Sequence, residues 1–242
     1  MFMNLAHRGA SQYAPENTLA AFYYGIQLGA NGLETDLRIS RDGVVFLLHD
    51  DRLERTTNGS GRHTDYTWAE LQELDAGSWF APAYAGERLI SFETFAHLFG
   101  RKPLKLALEL KDDGIEEEVA HVVRKYELQS NAVVTSFDFD SLRQLRRLDE
   151  HIPLGYLANQ WDADLLERLK ETRVGQLCPN AETLTKEQVN LLKREGFEVR
   201  AWKVKDEALM RHCLQCGVDG MTINFPEKLH EALNGEEASN RQ

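Results

Sequence analysis

Glu34 and Asp36 stand two residues apart inside an apolar run, Leu33–Ile39, that reads as a strand. In a strand that spacing sends both side chains to one face, where two carboxylates repel unless a cation neutralises them. An all-oxygen donor set suits a hard divalent ion, Mg2+ or Ca2+, better than zinc or copper. Glu109 and Lys111 repeat the same-face spacing at the end of a second apolar run, Leu104–Leu110, which makes Glu109 a third candidate ligand. Alone, Glu34 and Asp36 would equally suit a solvated rim or a salt bridge with Lys111. Their company favours a site. His7-Arg8-Gly9 closes the first apolar run and His49-Asp50 follows the run Val44–Leu48. A metal, Arg8 and Lys111 could neutralise a phosphate, while two imidazoles that titrate near neutral pH move protons on and off oxygen. The set is suited to phosphate-ester chemistry.

The elements that would carry these residues alternate. Short runs rich in branched residues lie near Asn4–His7, Leu33–Ile39, Leu104–Leu110, Ala132–Ser136, Leu154–Leu157, Val174–Cys178, Glu198–Trp202 and Gly220–Ile223, each followed by a segment of helical period. Eight βα units in about 250 residues predict one α/β domain, a closed (β/α)8 TIM barrel spanning residues 1–242, with function at the C-terminal strand ends. Helix signals agree: Asn17-Thr18 caps Leu19–Leu28, Asp138 starts a helix through Leu142–Leu148, and Thr185 with Gln188 forms a capping box. The segment from Asp51 to about Leu89 is too long for an ordinary βα loop and reads as a small insertion on the catalytic rim. The tail, residues 234–242, is expected to fray.

Composition removes several classes. With 28 Lys plus Arg against 39 Asp plus Glu, the net charge of −11 argues against nucleic-acid binding. No apolar stretch approaches the roughly 20 residues of a membrane span. The N-terminus lacks signal-peptide character, and three cysteines suit a reducing compartment, so a cytoplasmic protein is expected. Cys213 and Cys216 form a C-x-x-C, but at the end of a helical pattern before Gly217, where packing is a better reading than zinc or redox chemistry. No P-loop, nucleophile elbow or dinucleotide fingerprint occurs.

The motifs His7-Arg8-Gly9, Pro15-Glu16-Asn17-Thr18, Glu34-Thr35-Asp36, Asp42-Gly43, His49-Asp50, Arg55-Thr56-Thr57-Asn58-Gly59, Glu109-Leu110-Lys111, Ser136-Phe137, Trp202 and Val218-Asp219-Gly220 run in this order over almost the whole chain. In them the sequence resembles the glycerophosphodiester phosphodiesterases. The resemblance implies a TIM barrel with a small insertion after the second strand, a bound divalent metal, and hydrolysis of glycerophosphodiesters to glycerol 3-phosphate and an alcohol. It further implies Glu34, Asp36 and Glu109 as metal ligands, His7 and His49 as the acid–base pair, and Arg8 and Lys111 as phosphate-holding cations, with Trp202 facing substrate. One histidine would take the proton of the substrate's own glycerol hydroxyl, which attacks phosphorus while the other protonates the leaving alkoxide. Water would then open the cyclic phosphate. A monomer or homodimer acting on a small-molecule substrate is expected.

Where the family often shows Trp-Thr-Val-Asn, this chain reads Trp202-Lys203-Val204-Lys205. Strand alternation predicts both lysines on the face opposite Trp202, toward helices or solvent, unless Lys205 reaches an anionic headgroup. Thr222-Ile223-Asn224-Phe225-Pro226, Leu89-Ile90-Ser91-Phe92 and Ala107 also depart from the pattern. None of these is expected to touch a proposed ligand or histidine, so they are expected to bear on headgroup preference more than on reaction type. Trp79, Phe80 and Tyr84 either pack the insertion against the barrel or offer an apolar approach for lysophospholipids, the alternative substrate class. A phosphate-ester binding protein without catalysis is the other alternative, but it would be expected to have lost a histidine or ligand.

Overall fold

A computed structural model describes residues 1–239, the side chains through 235. The expected strands form, in chain order, β1 (Met3–His7), β2 (Gly32–Ile39), β4 (Lys105–Leu110), β5 (Ala132–Ser136), β6 (Leu154–Ala158), β7 (Gln176–Pro179), β8 (Glu198–Val204) and β9 (Gly220–Ile223), with a short extra strand, β3 (Val45–Leu47). The eight expected strands are all parallel, and pairing of β1 with both β9 and β2 closes them into a (β/α)8 barrel. Helices α1 (Leu19–Gln27), α3 (Phe92–Phe99), α4 (Glu116–Lys125), α5 (Phe139–Leu148), α6 (Ala163–Glu171), α7 (Lys186–Arg194), α8 (Glu207–Cys216) and α9 (Pro226–Ser239) surround it, and α2 (Trp68–Leu71) lies in the insertion.

Local chemistry sets these boundaries. Thr18, Asp138, Asp162, Thr185 and Asp206 each accept a hydrogen bond from a backbone N–H of the helix they start. Gly217, left-handed at φ 83°, ends α8. Residues 234–239, expected to fray, continue α9, while the expectation for 240–242 lies outside the described residues. The sixth barrel strand begins two residues later than expected, at Gln176, and β8 runs on to Val204 through a bulge between Ala201 and Val204.

Strand parity divides the core. Outward-facing Leu33, Leu37, Leu106 and Leu108 join the main hydrophobic cluster under the helices, whereas inward-facing Met3, Leu5 and Ala107, with Val133, fill the lower barrel. Continuing the inward parity upward leads to His7, Glu34, Asp36, Glu109, Thr135 and Trp202, so the packing that fills the barrel also aims the site.

The insertion has its own small core of Phe46, Leu48, Leu53, Leu71, Ala76 and Leu89. β3 pairs antiparallel with β2, so the chain climbs past the rim and returns, which lowers His49 back beside Asp36. Among the described residues, no helix is long and apolar enough to cross a membrane.

Candidate active site

Register aligns the acidic residues. His7 is level with Glu34 across β1–β2, and Asp36 is level with Glu109 across β2–β4. Glu34, Asp36 and Glu109 are all buried, and each offers a carboxylate oxygen within 4.8 Å of the others. Burial, then Asp36 and Glu109, pushes Glu34 up to about 8, and burial with Asp36 raises Glu109. Burial also opposes ionisation of Asp36, but Arg8 and Lys111 outweigh it and hold this carboxyl well below the ordinary range. Asp36 Oδ1 is buried without a hydrogen bond, 3.3 Å from Lys111 Nζ. Three buried carboxyls, two reluctant to ionise and one with an orphaned oxygen, form a donor set that a divalent cation fits.

The cations are held in place. Arg8 and Gly9 turn out of β1 in left-handed conformations, φ 56° and 82°. A Cβ on Gly9 would lie 2.4 Å from the Ala21 carbonyl carbon, so only glycine fits there. The turn leaves the Arg8 N–H donating to the Glu34 carboxylate and its guanidinium paired with Glu16 at 2.9 Å and Asp36 at 3.1 Å. Lys111 Nζ meets Glu109 at 2.5 Å.

The histidines differ in their partners. His7 Nδ1 lies 2.6 Å from Asn224 Oδ1, and burial, then Arg8, lowers its pKa to about 3. His49 Nδ1 donates to the Asp50 carboxylate at 2.6 Å. Burial lowers the His49 pKa in spite of Asp36, with Arg8 and Lys111 adding to the shift. Asp50 is in turn gripped by Arg55, which also holds Glu16, so a chain of charges runs from His49 through Asp50, Arg55 and Glu16 to Arg8.

His7, Arg8, Glu34, His49, Glu109, Lys111 and Trp202 border one cavity of about 250 Å³, while Asp36 sits behind its wall. Trp202 meets Phe137 edge-on at 5.0 Å and donates its indole N–H to the Ala158 carbonyl at 3.3 Å. Two expectations fail here. Asn224 touches a histidine, because β9 points its end inward at β1. Lys203 borders the cavity together with Trp202, because the bulge and a left-handed φ of 62° break the alternation of β8. Lys205 does stay outside, with 62% exposure, and pairs with Glu182 at 2.8 Å.

Other contributors were not singled out from sequence. Asn17, in the motif Pro15-Glu16-Asn17-Thr18, donates to Asp36 Oδ2 at 3.0 Å and accepts from Thr35 Oγ1 at 2.8 Å, from a left-handed φ of 58°. Arg38 donates to the carbonyls of both His49 and Lys111. Arg200 is fully buried under the cavity, with Nε on Gln176 Oε1, Nη1 on Thr222 Oγ1, and Nη2 without a partner. Of these, only the motif around Asn17 gave a signal in the sequence.

Phe80 meets both Trp79 and Tyr84 edge-on, Tyr84 donates to the Tyr13 carbonyl, and none of the three borders the cavity. Cys178, Cys213 and Cys216 are free and buried, and burial pushes the Cys213 thiol up to about 12, which fits packing.

A cavity that sets buried carboxylates and mobile-proton groups against fixed cations, on the catalytic face of this barrel, belongs to a phosphoric diester hydrolase. The family model described as the glycerophosphoryl diester phosphodiesterase family matches residues 7–228, and the chain belongs to that family. It is 32% identical over 230 residues to a glycerophosphodiester phosphodiesterase of Caldanaerobacter subterraneus subsp. tengcongensis, covering 93% of this chain and 95% of that one. A Bacillus subtilis glycerophosphodiester phosphodiesterase is 32% identical over 257 residues, covering 96% and 87%. Among solved structures, an Oleispira antarctica phosphodiesterase in complex with the product sn-glycerol-3-phosphate superposes with a TM-score of 0.87 at 31% identity, covering 95% of this chain and 96% of that one.

Proposed function

We propose that the protein hydrolyses glycerophosphodiesters to glycerol 3-phosphate and an alcohol, with Mg2+ or Ca2+ held by Glu34, Asp36 and Glu109. The observation that carries this reading is the meeting, in one cavity, of a buried carboxylate trio with two histidines and two fixed cations. When bound, the cation supplies positive charge that relieves the trio and offsets charge on the phosphate's non-bridging oxygens. Arg8 and Lys111 hold those oxygens from the protein side.

The hydrogen bonds of the histidines divide their roles. An amide oxygen can only accept, so the Asn224 contact makes Nδ1 the protonated nitrogen of His7 and leaves Nε2 with a lone pair. His7 is thereby set up as the base that takes the proton of the glycerol hydroxyl. His49 donates to a carboxylate, which supports its imidazolium, and it acts as the acid that protonates the leaving alkoxide. The hydroxyl attacks phosphorus, the alcohol departs, and a cyclic glycerol phosphate remains. Water then opens the ring with the two histidines exchanging roles. Because nucleophile and phosphorus belong to one substrate, attack is intramolecular and carries a high effective concentration. Trp202 lines the path of the substrate arm.

All these residues come from one chain, which suits a monomer or each subunit of a homodimer. Free cysteines suit the reducing cytoplasm. The test is release of glycerol 3-phosphate from glycerophosphocholine, glycerophosphoethanolamine and glycerophosphoglycerol by purified protein with Mg2+, Ca2+ or EDTA. Metal-dependent turnover, abolished by EDTA, is expected. Absence of turnover with either metal from folded protein would sink the reading.

A further inference from the structure

Opposite the carboxylate trio, the cavity wall is built from β5, β6 and β8, and its character is different. It consists of Phe137, Leu157 and Trp202, with Arg200 beneath and Lys203 at the edge. Lys203 reaches this wall only because the backbone there is left-handed, φ 62°, within the bulge of β8. A non-glycine residue in that conformation is disfavoured, and such positions cluster where a side chain must be aimed at a ligand. Glu182 stands behind the wall and pairs with Lys203 at 2.7 Å and with Lys205 at 2.8 Å. Glu182, and Asp206 beside Lys205, balance the charge outside the cavity, so Lys203 is the cation that this corner presents to it. Asp138 and Asp206, the nearest acidic residues on the flanking loops in sequence, are occupied in capping α5 and α8 and do not border the cavity.

The reaction proposed above decides which arm of the substrate lies here. The attacking glycerol hydroxyl must lie at His7 and the leaving oxygen at His49, so it is the carbon chain beyond that oxygen, the rest of the departing alcohol, that extends over the Phe137–Trp202 wall. We infer that the Phe137–Trp202 wall with Lys203 at its edge, backed by Glu182 and Lys205 outside the cavity, is a headgroup subsite that favours uncharged polyol alcohols, such as glycerol or inositol, over quaternary ammonium alcohols such as choline. The Lys203 ammonium donates to hydroxyl oxygens, and the aromatic faces cover the C–H side of a polyol. Choline offers no hydrogen-bond donor once esterified and brings a positive charge toward Lys203 and Arg200. The aromatic pair alone would attract that charge, so the lysines are what turn the preference.

The inference rests on the phosphodiesterase reading, and a charge series separates the two. For wild type, Lys205→Gln, Lys203→Gln and the double variant, kcat/KM is measured on glycerophosphoglycerol, glycerophosphoinositol and glycerophosphocholine. Wild type should prefer the polyol esters, and Lys203→Gln should cut the polyol-to-choline ratio about three- to fivefold, the scale of one unit charge at a partly solvated rim. The double variant should cut it further, and Lys205→Gln, which leaves the left-handed position intact, should cut it less. Added salt should shrink the wild-type ratio. A ratio unmoved within twofold in both Lys203 variants, or an equal loss on all three esters, overturns the subsite. Wild-type protein that turns over no ester overturns the underlying reading, and the subsite with it.

Discussion

From β1 to β4 the rim of the barrel holds Glu34, Asp36 and Glu109 buried beside Arg8 and Lys111, whereas from β5 round to β8 it presents Phe137, Leu157 and Trp202 with Arg200 beneath and Lys203 at the edge. On the first arc every charge sits against another, because an isolated buried charge costs several kcal/mol and each must be matched or neutralised. That arc is correspondingly rigid: Asn17 ties Asp36 to Thr35, Glu16 ties Arg8 to Arg55, and Arg38 ties His49 to Lys111. The second arc carries no comparable lattice. In the proposed reaction one arc changes bonds and the other holds what is attached to them, so damage to the first should appear in kcat and damage to the second in KM.

The sharpest break would come from the histidines. His7→Ala and His49→Ala should each lower kcat by about two to four decades with the fold retained, the scale of general acid–base catalysis. Steady-state kinetics with circular dichroism on the same samples checks this, and a folded variant of near wild-type rate removes that histidine from the reaction. Next in size is Asn17→Ala. Asn17 does not border the cavity and donates to Asp36, a proposed ligand, so its loss should weaken divalent-cation affinity about ten- to a hundredfold, as removal of a ligand's supporting hydrogen bond does. Calorimetric titration of Mg2+ or Ca2+ into EDTA-treated protein reads it directly, and unchanged affinity would mean the rigidity of this arc is incidental.

Most of the first arc was legible in the sequence, and the reason is periodicity. Glu34 with Asp36, and Glu109 with Lys111, lie two apart in unbroken strands, where period two fixes the face. His7 follows the same parity from Met3 and Leu5. The second arc was less legible because its decisive residue breaks that rule: parity sends Lys203 outward, and only the bulge, a backbone event with no sequence signature here, turns it in. Asn224 and Arg38 were missed for another reason. Their partners, His7 and the carbonyls of His49 and Lys111, are 217 residues, 11 residues and 73 residues away; the first contact exists only once β9 closes on β1, the other two only once β3 and β4 lie against β2. The extra strand β3 was read as an apolar run, yet its antiparallel return is what places His49.

The charge imbalance on the first arc has a signature in stability. Glu34, raised to about 8, keeps its proton in the folded chain where an unfolded glutamate with a pKa of 4.5 has lost it. Glu109 is raised in the same sense. The folded state then binds more protons than the unfolded one, so stability is full below about 4.5 and falls as pH rises toward 8. His7 works in the opposite direction, but between pH 3 and 6.5 only, and above 6.5 it is neutral in both states. Between pH 6.5 and 8, EDTA-treated protein should therefore lose on the order of 1 kcal/mol per pH unit. Urea midpoints across that window measure it. Glu34→Gln should flatten the slope, saturating Mg2+ should flatten it in the wild type, and a slope that survives both would mean the trio is not its source.

The smallest expected effect falls on the second arc, and it decides whether the two arcs really divide the work. Trp202 packs edge-on against Phe137 and touches neither histidine nor carboxylate by any hydrogen bond, its indole N–H being spent on the Ala158 carbonyl. With the substrate placed as proposed, Trp202→Ala would remove aromatic contact with the alcohol arm, about 1 kcal/mol beyond simple burial. KM should rise about five- to tenfold while kcat stays within about threefold, because an interaction made equally in ground and transition states changes binding alone. Should kcat fall as far as it does for His49→Ala, the aromatic wall would be aligning the leaving group rather than only holding it, and the boundary between the arcs would have to be drawn on the far side of β8.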